Sequence, residues 1–179
     1  VHDMSARRDT MNCCLFDVQN VLSGGFEMGN IWYNEPKTLD VAFDVIGDIV
    51  LSAASQQYGG FTVPSVDLIL EPYAQKSFDR DMKKYLALGV PEEKAEEVAY
   101  ADVVKEMEQG FQGWEYKFNT VASSRGDYPF ITVTAGTGTG RFAKLATVSM
   151  LKVRREGQGK DGFRKPVLFP KIVFLYDEN

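Results

Sequence analysis

The 179-residue chain has two cysteines, one histidine and no long uninterrupted apolar run. Each shortage excludes a class of protein. Without roughly 18 or more consecutive apolar residues, no helix spans a bilayer. No secretory signal opens the chain, and two adjacent cysteines cannot build a disulfide framework, which points to a reducing, cytoplasmic setting. The single His2 follows no metal-ligand spacing. Zinc centres, Ser-His-Asp triads and HExxH sites are therefore not expected, and no metal is assigned to this chain. The first residue is Val1, and the last residues, IVFLYDEN, stop as a strand finishes. The sequence reads as a piece of a longer polypeptide.

What is present is enough for a packed core, with 44% hydrophobic and 12% aromatic residues. The net charge of −5 is unevenly spread. Residues 141–171 hold nine Lys/Arg against two acids, about +7, which leaves about −12 elsewhere. A basic segment of this kind is usually a solvated helix end and loop. No direct nucleic-acid binding is expected.

The periodicity alternates between strand and helix. Asn12 to Phe16 is short and apolar, a plausible buried strand, and Val18 to Leu22 begins a short helix. Gly24, Gly25 and Gly29 mark a loop ending at Pro36. Thr38 then suits the N-cap of a helix over 39–57 that is apolar almost all round, with Asp40, Asp44, Asp48, Ser52 and Gln56 as one narrow polar stripe. Such a helix is buried on most sides, by its own domain or by a partner chain. A further helix starts at Ser65, with Pro72 expected to interrupt or kink it. The clearest helix follows Pro91, where Met107, Phe111, Trp114, Phe118 and Val121 form a core-facing stripe. Gly110 and Gly113 weaken it, so a close neighbour or a bend is expected there. YPFITVTAG, GRFAKLATVSMLKVRREG and KPVLFPKIVFLYD then read as strand, helix and strand, a βαβ unit that requires parallel pairing. The fold class is α/β.

Two features invite chemistry. A cysteine in a strand is most often a small buried hydrophobe, and adjacent strand residues point to opposite faces. At most one of Cys13 and Cys14 can then face a given cavity. GTGTGR (Gly136 to Arg141) lies between a strand and a helix, where an anion can bind. It lacks the Lys-Ser/Thr of a P-loop and the spacing of a dinucleotide fingerprint, and a flexible turn is the favoured reading over a phosphate cradle.

The words HDM, NCCLFD, GGFEMGN, EPKTL, QQYGGFTVP, GFQGWEYKFNT, RGDYPF and KPVLFPKIVFLYDE occur in one order and at close spacing. Together they resemble the anaerobic (class III) ribonucleoside-triphosphate reductases, which are glycyl radical enzymes. The resemblance covers essentially the whole chain. It implies part of a ten-stranded α/β barrel with long helices outside, residues 1–179 being one segment from the early part of the catalytic barrel. No ATP-cone and no C-terminal radical-glycine domain has a counterpart here. The resemblance makes Cys13, after Asn12 on the first barrel strand, the active-site thiol, and makes Cys14 core packing. Asn12, His2 and Ser124 become substrate-adjacent. Positions matching the effector contacts are Glu35 (or its neighbour Asn34), Asp48, Arg80 and Lys117; Asp48 and Lys117 depart from the Gln and Glu expected there.

The implied parent reduces ribonucleoside triphosphates to deoxyribonucleoside triphosphates, with formate as reductant in many members. Its implied cofactors are a glycyl radical, zinc in the C-terminal region and ATP or dNTP effectors. An iron–sulfur, S-adenosylmethionine-dependent activase and a homodimeric partner are also implied. The fragment itself is expected to be inactive. Two alternatives stand beside this reading: another glycyl radical enzyme such as a formate-lyase-like acyltransferase, and a non-catalytic nucleotide-binding or dimerisation module.

Overall fold

The structure, a computed structural model, describes residues 13–57, 59–122, 126, 128 and 130–176. His2, Asn12 and Ser124 fall outside the described residues. In chain order the elements are β1 (Cys14–Leu15), α1 (Val18–Leu22), β2 (Phe26–Met28), β3 (Ile31–Tyr33), α2 (Leu39–Ala54), β4 (Phe61–Val63), α3 (Val66–Ala87), α4 (Glu92–Thr120), β5 (Ile131–Ala135), α5 (Arg141–Glu156) and β6 (Lys171–Phe174). Four strands form a parallel sheet in the order β1-β4-β5-β6, and β2-β3 is a separate antiparallel hairpin. Helices fill every crossover between the parallel strands, as that pairing demands. The expected β5-α5-β6 unit is present.

Strand alternation sorts the sheet into two faces. Phe61, Val63, Ile131, Val133 and Ala135 are buried, while Thr62, Thr132 and Thr134 between them are only half-buried. The helices cover one face, with α3 lying directly on β5. Parallel sheets are ordinarily covered on both. Among the described residues the second face is open, and Leu15 (77% exposed) stands on it.

The helices depart from expectation in instructive ways. Around α2, Leu39, Ala42, Phe43, Val45, Ile46, Ile49 and Val50 are all buried, against α3 and α4 among other neighbours. Val41 alone of its large apolar residues is strongly exposed. The chain itself therefore covers the surface that pointed to a partner. The Thr38 hydroxyl makes no capping bond; the Leu39 amide instead donates to Ser77 Oγ at 2.9 Å, which ties the start of α2 to α3. Pro72 does not interrupt α3, because Ile69, Leu70, Tyr73 and Ala74 on both sides of it are buried.

On α4 the apolar stripe holds through Phe118. Val121 lies beyond the helix in extended backbone and is half-exposed, so it leaves the core. The glycines differ: a Cβ on Gly110 would lie 2.2 Å from the Phe43 ring, whereas Gly113 has nothing within 4 Å. The basic run at 141–171 also finds a purpose. Lys152 pairs with Glu108 (2.7 Å), Arg154 with Glu115 (2.6 Å) and Arg141 with Glu96 (3.0 Å), so α5 faces the acidic side of α4. Three of the nine cations of the segment thus meet acids of α4.

Candidate functional site

At the edge of the sheet, backbone pairing holds the two cysteines in place. The Cys14 amide donates to the Gly60 carbonyl (3.1 Å), and Cys14 sits opposite Phe61. Its side chain packs on the core, and burial pushes its thiol pKa up, with the neighbouring Cys13 adding to the shift. Alternation turns Cys13 the other way. It is exposed, and its Sγ accepts a hydrogen bond from the Gly60 amide at 3.3 Å. A Cβ on Gly60 would sit 4.0 Å from Cys13 Sγ and 3.7 Å from the Phe130 ring. Gly60 thus stands between the thiol and the aromatic ring, with ordinary contact distance to both. Phe130 in turn meets Phe169 edge-on at 5.4 Å, and Lys171 Nζ lies 4.0 Å above its ring.

A second feature lies across the helical layer. Helices α2, α3 and α4 enclose a cleft of about 450 Å³. Phe43 and Trp114 form its apolar part, and the Trp114 indole N–H donates to the Phe43 carbonyl at 2.8 Å. Arg80, Lys84, Lys105 and Lys117 bring four cations to it, and Asp40, Asp44, Asp81, Asp102 and Glu106 bring carboxylates. Arg80 is pinned: Nε and Nη2 each donate to buried Asp81 at 2.9 Å, and Nη2 reaches Glu106 at 2.7 Å. Those two hydrogen-bonded carboxylates raise its pKa further. Glu106 Oε2 is buried without a hydrogen-bond partner. Lys117 pairs with Asp44 (3.0 Å) and stands 3.8 Å from Asp48.

The structure therefore brings Arg80 and Lys117 into one cleft and sets Asp48 beside Lys117. It does not bring Glu35 there: Glu35 pairs with Lys76 at 2.7 Å and lies outside the cleft lining. Asp81, Lys84, Lys105 and Glu106 went unnoticed in the sequence, and Asp44 was read only as part of the polar stripe of α2. The available signal was the polar residues at 102, 105, 106 and 109 of α4, one helical face beside the apolar stripe.

The glycine-rich loop already has an occupant. Fully buried Asp67, at the start of α3, accepts from the amides of Gly136 (3.1 Å) and Gly138 (2.8 Å) through Oδ2. A carboxylate of the chain thus takes backbone donors that a phosphate would need, and a Cβ on Gly138 would crowd it at 3.0 Å. The loop is a structural turn.

The family profile described as anaerobic ribonucleoside-triphosphate reductase matches residues 1–179, the whole chain. The chain belongs to that family. As a member of the anaerobic ribonucleoside-triphosphate reductases, it is 36% identical over 180 residues to the enzyme of that name from Enterobacteria phage T4, covering 99% of this chain and 29% of the relative. The Haemophilus influenzae enzyme is 39% identical over 163 residues, covering 91% of this chain and 22% of the relative. The chain thus spans under a third of the length of these curated relatives. A crystal structure of the anaerobic ribonucleotide reductase from Thermotoga maritima in complex with dATP and CTP aligns with a TM-score of 0.55 at 16% identity, over 84% of this chain and 25% of that one. A second structure of that reductase, with dATP bound in the specificity site, aligns at 0.54 over 85% of this chain and 25% of that one. The fold of this family member is thus that of the corresponding part of known reductases. Among its described residues no helix is long and apolar enough to cross a membrane.

Proposed function

We propose that the protein carrying this chain reduces ribonucleoside triphosphates to deoxyribonucleoside triphosphates by glycyl/thiyl radical chemistry, and that residues 1–179 are the early part of its catalytic barrel. One observation supports this above the rest. The family match spans the whole chain, and within it Cys13 is the thiol turned away from the core, on the open side of the parallel sheet. The unpaired electron would come from a glycyl radical outside these residues. Cys13 would donate its S–H hydrogen atom to a carbon radical on the substrate ribose, closing a C–H bond and leaving the odd electron on sulfur. The open sheet face, enclosed in the assembled protein, would keep that radical from water. Zinc belongs to the C-terminal region on this reading, and the activase, a homodimeric partner and a cytoplasmic location are part of the same proposal.

The cleft is proposed to take the nucleoside triphosphate effector. Its apolar floor suits a base, and Arg80, Lys84, Lys105 and Lys117 suit phosphates. Lys117 becomes free for this only by leaving Asp44, and Arg80 only by loosening its hold on Asp81 or Glu106, so binding exchanges ion pairs within the chain for ion pairs with phosphate. Hydrogen bonds to charged groups contribute about 1.5–3 kcal/mol, so Arg80→Ala should weaken effector binding by about tenfold or more. Arg80→Lys, which keeps the charge, should lose less. Equilibrium binding of dATP to the full-length protein measures both, and unchanged affinity in the alanine variant would place the site elsewhere.

The isolated chain should make no product. Positioning by one wall cannot generate a radical that the other parts of the enzyme must supply. Incubating it with ribonucleotides, formate and activase should yield no deoxyribonucleotide, and sustained turnover would end the reading of the chain as a segment.

A further inference from the structure

The residues ahead of β6, Val167–Pro170, lie outside the ladder, yet two side chains hold their backbone. Asn119 Oδ1 accepts from the amides of Leu168 (3.2 Å) and Phe169 (3.1 Å), and its Nδ2 donates to the Phe169 carbonyl at 2.7 Å. Arg154 Nη2 donates to the Pro170 carbonyl at 2.6 Å, and Nη1 reaches that of Val167 at 3.5 Å. Both side chains are anchored on Glu115, which is 4% exposed. Its Oε1 accepts from Arg154 Nε at 2.6 Å, its Oε2 from Gln158 at 2.6 Å, and its backbone carbonyl from Asn119 Nδ2 at 2.7 Å. Only a side chain that both donates and accepts can serve two amides and a carbonyl of one strap, and Asn119 does so.

The strap carries Phe169, whose ring meets Phe130. The Phe130 carbonyl accepts from the Phe61 amide at 2.9 Å, and its ring lies 3.7 Å from where a Cβ would stand on Gly60, the residue that also holds Cys13 Sγ. A continuous set of contacts thus runs from Asn119 through Phe169, Phe130 and Gly60 to the thiol. We propose that Asn119, anchored through Glu115 and Arg154, is a positioning residue for Cys13, fixing the Phe169–Phe130 pair as the side wall of the thiol's surroundings. This rests on the reading of Cys13 as the active-site thiol. A clasp that merely kept the chain folded would, when lost, loosen the sheet as a whole and expose Cys14 along with Cys13. The two thiols therefore serve as each other's control.

The test uses the full-length reductase carrying this chain. Pulse alkylation with iodoacetamide is read by fragment-ion mass spectrometry, which separates Cys13 from Cys14. In Asn119→Ala the Cys13 rate should rise several-fold while the Cys14 rate stays at the wild-type value. Turnover should fall about tenfold or more, since small displacements around reacting atoms are costly. Arg154→Lys, which keeps a cation for Glu115 but loses the fork that reaches Pro170, should move both readouts in the same direction and by less. This milder variant decides the matter if Asn119→Ala does not fold. An unchanged Cys13 rate overturns the proposal, as does a parallel rise at both thiols or wild-type turnover. Full turnover in Cys13→Ala would instead remove the thiol assignment and leave the labelling asymmetry intact, so the two failures are distinct.

Discussion

Cys13→Ala in the full-length reductase is expected to abolish deoxyribonucleotide formation, while Cys14→Ala retains it. The two side chains are adjacent in sequence but lie on opposite faces of the sheet. Cys13 is exposed on the open side with Gly60 donating to its sulfur, whereas Cys14 packs among core residues such as Phe61. Removing Cys13 deletes the one thiol of the chain that stands on the open side of the sheet, since Cys14 packs on the core. Removing Cys14 deletes one sulfur from a half-buried position, which costs about 1–2 kcal/mol through lost contacts. Product formation in anaerobic assays, together with a thermal melt, separates these outcomes. A Cys13 variant with wild-type turnover would show that the reactive thiol lies elsewhere.

Gly110→Ala should destabilise the chain by about 2–3 kcal/mol, because an added methyl must displace the Phe43 ring in a packed helix crossing. Phe43 cannot give way easily. Its ring stacks edge-on with Phe111 at 5.0 Å and with Trp114 at 4.9 Å, and its carbonyl accepts the Trp114 indole N–H. Gly113, one turn further along α4, has open space above it. Gly113→Ala should therefore stabilise by about 0.5–1 kcal/mol, from helix propensity and reduced freedom of the unfolded chain. Urea denaturation of the two variants gives opposite shifts of midpoint if α2 and α4 cross as described. Shifts of the same sign would disprove that crossing.

The long helices were legible because their signal repeats. The stripe from Met107 to Phe118 spans several turns, and each apolar position reinforces the last. The β5-α5-β6 unit was legible for the same reason. The strand Phe61–Val63 and the hairpin of Phe26–Met28 with Ile31–Tyr33 were not. Three residues are too few to show alternation, and the glycines and Pro64 around them signal only turns. The hairpin depends on a contact the sequence does not advertise, the stacking of Phe26 on Tyr33 at 4.9 Å.

The candidate site divides along the same line. The resemblance nominated Cys13, Arg80 and Lys117, the last two of which the cleft brings together, and alternation alone required the two cysteines to part. Alternation is a local property, set by neighbours in the chain. Which apolar face of α2 meets which helix is not local: α3 and α4 cover it, and one helix's periodicity cannot say whether the neighbour belongs to its own chain. The same holds for the ion pairs between α4 and α5 and for the displacement of Glu35 onto Lys76. It holds for Asp67 inside the glycine loop and for Asn119 on the strap before β6, contacts that span 71 and 50 residues. Composition and periodicity determined the long helices, the β5-α5-β6 unit and their amphipathic faces, while the ordered words carried the resemblance to the family. Tertiary packing alone decided which charges neutralise one another and which thiol faces open space, because those outcomes depend on distances between segments that the chain order leaves free.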